Sequence, residues 1–269
     1  MIGNITLGQY IPGTSVMHRM DPRSKIGWTG VFMVLVFLMD SWPEYLLMAG
    51  WTVVLLQLSQ VPVRQSLKGL KPLLFLLAFT TLLNLFLIPG RVLVELGPLA
   101  ITVEGLQMGV KVFFRLCILV IIASLMTLTT TPMSMTDGLE RMMNPLKRLR
   151  VPVHEIAMMM SIALRFIPTL LEETERIMKA QASRGADFDT GNLFKRVKSF
   201  VPVLVPLFVS AFKRADELAE AMESRGYRGG EGRTRLKILL FTRVDLQAGL
   251  VCASVIAGFI LIRVLPAIF

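Results

Sequence analysis

Apolar residues in this chain gather into blocks, and the polar residues fall between them. The first block runs from Ile26 to Met39 and follows Asp21-Pro22-Arg23-Ser24-Lys25. Asp21 is suited to cap a helix whose first residue is Pro22, where a missing N–H costs nothing. A turn is predicted at Asp40-Ser41-Trp42-Pro43, then a second span over Tyr45–Leu58 with Trp42 and Tyr45 at the interface. A third span is expected from Pro72 to Ile88 and a fourth from Leu106 to Thr130, with Lys111 and Arg115 one turn apart near its start. Between them, the alternation Val92, Val94, Leu96 before Gly97-Pro98 predicts a short surface hairpin. A polar stretch of more than 100 residues, Pro132 to Arg243, precedes a last clean span, Leu246–Ile262.

The polar stretch reads as three helices. A short one covers Met133–Leu149 and stops before Val151-Pro152, and two long ones cover Val153–Arg184 and Asn192–Arg225. The long pair share one plan. Each has a proline-interrupted apolar half, Ile156–Leu171 and Phe200–Phe212, then a charged half, and each ends in Ala-x-x-Ser-Arg-Gly. Ser183-Arg184-Gly185 and Ser224-Arg225-Gly226 stand 41 residues apart. Taken singly, each is an ordinary basic helix end: glycine admits the left-handed cap, and arginine favours the negative end of the helix dipole. The duplication gives them a further meaning. At ~1.5 Å per residue they close two rods of about 45–50 Å, each presenting at its tip a planar donor group suited to a carboxylate.

The apolar halves are poor spans on this reading. Val153–Leu171 carries His154, Glu155 and Arg165, and Ser199–Phe212 carries two prolines. They are expected to lie at the interface or to dock another membrane protein. The dense methionines (Met133, Met135, Met142, Met143, Met158, Met159, Met160) fit either core filler or an adaptable partner surface.

Composition agrees with a bilayer protein: 54% hydrophobic, 18% charged, mean hydropathy +0.62. The net charge of +10 raises nucleic acid as a partner, but the bases flank spans and no nucleic-acid motif accompanies them, so anionic lipid is the expected contact. The Arg19–Lys25 and Val61–Lys71 segments hold three bases each and Pro132–Arg243 nineteen, against none in Asp40–Glu44 and one in Pro89–Gly105. Five spans then place the N-terminus and the polar stretch in the cytosol and the C-terminus outside. The domains expected are 1–131 with four spans, 132–243 as a cytosolic module, and 244–269 as the last span.

Met1–Met20 has no apolar core, so no cleavable signal peptide is expected. Cys117 and Cys252 fall inside spans and read as free thiols. Asp21, Asp137 and Asp245 read as isolated. No phosphate loop, Ser/His/Asp set or metal-ligand cluster occurs, so neither catalysis, cofactor nor metal is expected.

The chain resembles, over nearly its whole length, the T component of energy-coupling factor (ECF) transporters. The resemblance rests on Tyr10-Ile11-Pro12-Gly13-Thr14-Ser15, His18-Arg19-Met20-Asp21-Pro22-Arg23-Ser24-Lys25, Ala163-Leu164-Arg165-Phe166-Ile167-Pro168 and the doubled Ser-Arg-Gly. The family's signature is often Ala-Arg-Gly; Ser183 and Ser224 depart from it and leave the arginines intact. It implies an all-α integral membrane protein of about five spans plus a cytosolic coupling module of one short and two long helices. The implied function is a coupling subunit joining two ABC-type ATPases to a small substrate-binding S component, for vitamin or metal-ion uptake across the cell membrane. Arg184 and Arg225, with the Ser and Gly beside each, are then the ATPase-coupling residues. Met158, Met159, Phe166, Pro168, Leu204 and Phe208 are then in the S-component surface. The competing reading is a self-sufficient secondary transporter or channel, which wants polar residues facing one another at the midplane; only Gln57, Asn84, Lys111 and Arg115 come near.

Overall fold

Proline placement and side-chain caps decide where the helices begin. A computed structural model describes residues 10–96, 99–188, 193–229 and 239–268. They form two compact units, one from Gly8–Arg141 with Ile238–Phe269, the other from Met142–Lys237.

The first unit opens with α1 (Val16–Arg19) and α2 (Pro22–Phe37), which starts where the sequence places it: Asp21 accepts from the Arg23 N–H and Pro22 is the first helical residue. Helix α3 (Trp42–Ser59) begins earlier than expected. Glu44 reaches back to accept from the Asp40 and Ser41 N–H groups, 2.7 and 3.1 Å, so Trp42 and Pro43 belong to its first turn. After α4 (Val63–Lys68) and a 3₁₀ turn at Lys71–Leu73 come α5 (Leu74–Leu87), the antiparallel strands β1 (Val92–Leu96) and β2 (Leu99–Thr102), and α6 (Val103–Thr129). The hairpin is the expected one; its Gly97-Pro98 turn lies outside the described residues.

Helices α5 and α6 approach closely because α6 presents glycine to α5. A Cβ on Gly105 would stand 2.8 Å from the Asn84 carbonyl oxygen, and one on Gly109 would stand 3.2 Å from that of Thr81. The Gly105-x-x-x-Gly109 spacing is the small-residue contact membrane helices use, where close packing replaces the hydrophobic drive. Phe32, Val36 and Met39 of α2 and its end, Tyr45, Met48 and Trp51 of α3, Ile118 and Ile122 of α6, and Cys252 and Phe259 of α10 (Arg243–Ile268) form the buried core. Both cysteines are free thiols.

Two aspartates the sequence leaves isolated meet here. Asp245 Oδ1 accepts from the Asp21 N–H at 2.7 Å, and its Oδ2 accepts from the Thr242 N–H and hydroxyl. The Asp21 carboxylate takes the Arg23 guanidinium through both oxygens, and Arg23 lies 4.2 Å from the Phe241 ring centre. The start of α2 is thereby joined to the start of α10. His18 fixes the preceding segment: Nε2–H donates to the Ile11 carbonyl, 2.9 Å, so Nδ1 accepts the Ser15 hydroxyl, 2.6 Å.

Beyond α7 (Pro132–Met142) the expected helix Met133–Leu149 breaks. Pro145 cannot donate to the turn behind it, so the chain passes into a 3₁₀ turn, Asn144–Leu149, and ends with Arg150 left-handed at φ 61°.

The second unit holds α8 (Val153–Ser183) and α9 (Leu193–Ser224), which lie antiparallel. Phe188 packs on Phe200 with ring centres 5.4 Å apart, and farther along Glu173 pairs with Arg214 at 3.7 Å. Between these contacts the Gln181 side chain donates to the Pro202 carbonyl, 3.3 Å. That carbonyl is free because its helical partner four residues on is Pro206, which has no N–H. The expected cap Asn192 lies outside the described residues.

Among the described residues, four stretches are long and apolar enough to cross a membrane: Val63–Leu87, Val103–Thr129, Val153–Ser183 and Arg243–Val264. The set differs from the sequence reading in two places. Helices α2 and α3, 16 and 18 residues long, are outside it. Conversely α8, read from sequence as too interrupted to span, qualifies by length and composition. The chain is an all-α integral membrane protein to which the hairpin is a small addition.

Candidate functional site

The candidate site is the pair of helix ends in the second unit. At the end of α8 the Gly185 N–H donates to the Ala182 carbonyl and the Ala186 N–H to the Gln181 carbonyl, both 3.0 Å. At the end of α9 the Gly226 N–H donates to Glu223, 2.8 Å, and the Tyr227 N–H to Met222, 3.0 Å. Each is a complete Schellman closure, and each needs a left-handed residue at its hinge. Gly185 and Gly226 supply it at φ +89° and +71°. The serines match as well, Ser183 Oγ donating to the Lys179 carbonyl and Ser224 Oγ to the Glu220 carbonyl. The 41-residue sequence repeat is therefore a repeat of hydrogen bonds.

Arg184 and Arg225 occupy the cap position in these closures. Their backbones are fixed by the bonds on either side, and their side chains are exposed. Among the described residues neither guanidinium has a hydrogen-bond or ion-pair partner. Arg176, by contrast, is bound to Glu173 within α8. Because α8 and α9 run antiparallel, with Gln181 opposite Pro202, the two arginines are not brought together: about 25 residues of helix separate them, roughly 35–40 Å at ~1.5 Å per residue.

The six apolar residues expected on a docking surface divide unevenly. Met158 and Phe166 are half-buried, Met159 and Pro168 exposed. Leu204 and Phe208 are exposed on a face of α9 that also carries Val201, Val205 and Phe212, while Val203 points the other way, 2% exposed. The spacing of these residues is that of one continuous helix stripe. Of the midplane candidates, Asn84 donates to the Thr80 carbonyl of its own helix, and Lys111 and Arg115 to the Asp40 and Met39 carbonyls at the end of α2. All three are tied to backbone, and Lys111 and Arg115 converge on the end of α2, where Arg115 also lies 4.0 Å from the Asp40 carboxylate. Among the described residues no three His, Cys, Asp or Glu side chains form a metal cluster.

The described residues thus combine apolar helices long enough to cross a membrane with a helical hairpin whose two matched ends are cationic. The model of the CbiQ family, described as cobalt transport protein, matches residues 13–236. Relatives named energy-coupling factor transporter transmembrane protein EcfT come from Ruminiclostridium cellulolyticum, 56% identical over 91% of this chain and 92% of that protein, and from Thermosediminibacter oceani, 53% identical over 96% and 98%. The Bacillus subtilis protein of that name is 49% identical over 91% and 93%. The chain belongs to the CbiQ/EcfT family of ECF-transporter transmembrane components; it is a transport protein and not an enzyme.

Proposed function

We propose that α8 and α9 are the coupling helices of an ATP-driven importer, with Arg184 and Arg225 each seated on one of two cassette ATPases. The observation that carries this reading is the pair of identical Schellman closures, each presenting an exposed arginine without an internal partner. A guanidinium at the last turn of a helix loses part of the dipole attraction when a partner draws it away, so a carboxylate on the partner is the natural complement. The functional division follows 1–131, 132–243 and 244–269, with the N-terminus and the coupling module cytosolic, as the loop charges favour.

The α9 stripe through Leu204 and Phe208, and separately Met158, Met159, Phe166 and Pro168 of α8, are the surfaces for a substrate-binding S component. The stripe is too apolar for water and is continuous along α9. The cargo belongs to the vitamin or transition-metal class, and recognition of it belongs to the S component. Reconstitution in vesicles tests the assignment. ATP-driven uptake should require this chain, both ATPases and an S component together; uptake by this chain alone would refute it.

A further inference from the structure

Among the described residues the chain enters the second unit from α7 and comes back into the first at Leu239. Both passages are held by one turn, the start of α2. On the way in, Lys25 Nζ donates to the Thr129 carbonyl at 2.9 Å and to the Thr130 hydroxyl at 3.0 Å, where α6 ends. Helix α7 follows, and its Gly138 lies against the same turn: a Cβ there would stand 3.0 Å from Pro22 Cβ and 3.4 Å from the Arg23 backbone nitrogen. On the way back, the Arg23 guanidinium donates to the Leu239 carbonyl at 3.3 Å and lies over the Phe241 ring. Asp245, in the first turn of α10, then accepts from the Asp21 N–H.

Most of these groups are interior. Asp21, Lys25, Thr129, Thr130 and Asp245 are each no more than 6% exposed, and hydrogen bonds in such surroundings are stronger than in water. Successive helix residues point about 100° apart, so neighbours within one turn hold chain on different sides of α2. Farther along, Phe32, Val36 and Met39 pack into the core with side chains of α3, α6 and α10. Close-packed interiors transmit strain, so a shift of the first turn of α2 has to move that core. Packing alone does not account for Lys25. An ammonium at this depth costs desolvation, and an apolar residue of its length would fill the same space.

We propose that the first turn of α2 is the joint through which movement of the second unit reaches the first, with Arg23 and Lys25 as the positioning residues that keep the two passages taut. A pull on either passage then displaces α2 instead of being absorbed by slack chain. The inference rests on the coupling role of α8 and α9.

The test uses the full chain with both ATPases and an S component whose labelled cargo is known, in vesicles, with ATP hydrolysis and uptake measured on the same preparation. The variants are Lys25→Met, Arg23→Gln and their combination. Lys111→Met is the matched control, since it removes a lysine-to-carbonyl bond at the other end of α2. The ATPases should copurify with each variant as with the unaltered chain, and the thermal midpoint of Lys25→Met should stay close to normal. Cargo taken up per ATP hydrolysed should fall about three- to tenfold in each single variant, the factor that one hydrogen bond contributes. The fall should be larger in the combination and absent in Lys111→Met. A merely structural role would lower hydrolysis and uptake in proportion and leave that ratio unchanged. An unchanged ratio in Lys25→Met, or an equal fall in Lys111→Met, would overturn the joint and leave the coupling helices untouched. An unaltered chain that does not retain the ATPases would instead overturn the coupling reading, and the joint with it. If Arg23→Gln fails to assemble, Lys25→Met decides alone.

Discussion

Gly185→Ala and Gly226→Ala isolate what the helix closures contribute, because nothing else changes. A Cβ at either position meets no atom within 4 Å. No clash results, and the whole penalty is the left-handed backbone at φ +89° and +71°. An L-residue there costs roughly 1–2 kcal/mol. The closing bonds of each end are local, so the chain relieves the strain by fraying the last turn and leaves the antiparallel pair intact. Global unfolding should therefore be nearly unchanged, whereas amide exchange at residues 185–186 or 226–227 should accelerate about 5- to 30-fold, as 1.4 kcal/mol per decade implies. Binding of an ATPase then has to re-form the end, so its affinity should fall by about the same factor. Gly→Asn tolerates the left-handed region far better than Ala and should restore most of it. Equal exchange and equal ATPase binding in Ala variants and unaltered chain would mean that the closures do not position the arginines.

Three further outcomes follow from other contacts. Gly105→Ala places a Cβ 2.8 Å from the Asn84 carbonyl oxygen, a backbone overlap expected to cost about 1–3 kcal/mol and to lower the thermal midpoint in detergent. Gly50→Ala, with open space around it, should raise that midpoint slightly, and the reverse order would discredit the α5–α6 packing. Asp245→Ala leaves the buried Asp21 N–H without its acceptor and should cost about 1–3 kcal/mol, read by chemical or thermal unfolding; Asp137→Ala is the neutral comparison. In a variant lacking Cys117 and Cys252, single cysteines at Glu95 and Thr190 should label from opposite faces of the membrane, and labelling from one face would refute the orientation.

The features legible in the sequence are those that local chemistry decides. Asp21-Pro22 announces the start of α2, alternation around Val94 gives the hairpin, and Gly185 and Gly226 stop α8 and α9 where they stand. The Ser41-x-x-Glu44 capping box was equally local; reading Trp42-Pro43 as a turn obscured it, since proline suits a helix's first turn as well. Pro145 should likewise have limited α7. Other features depend on distance. Asp21 and Asp245 are 224 residues apart, and no periodicity pairs them. The Gly105-x-x-x-Gly109 contact is written in the sequence, but its partner carbonyls on α5 are not. The site itself was visible as a repeat, while its antiparallel arrangement, which keeps the arginines apart, needed the contacts between Glu173 and Arg214 and between Phe188 and Phe200.

The most direct test of the account compares ATPase copurification and ATP-driven uptake for Arg184→Ala, Arg225→Ala and the double variant, with Arg176→Ala and Arg228→Ala as controls. A charge-assisted bond is worth about 1.5–3 kcal/mol, so each single loss should weaken assembly roughly 10- to 100-fold, and Arg→Lys should recover only part of it. The double variant should neither retain the ATPases nor transport, while the controls stay near normal. A double variant that assembles and transports normally, or controls that fail equally, would contradict the coupling role and leave the two arginines as basic helix caps.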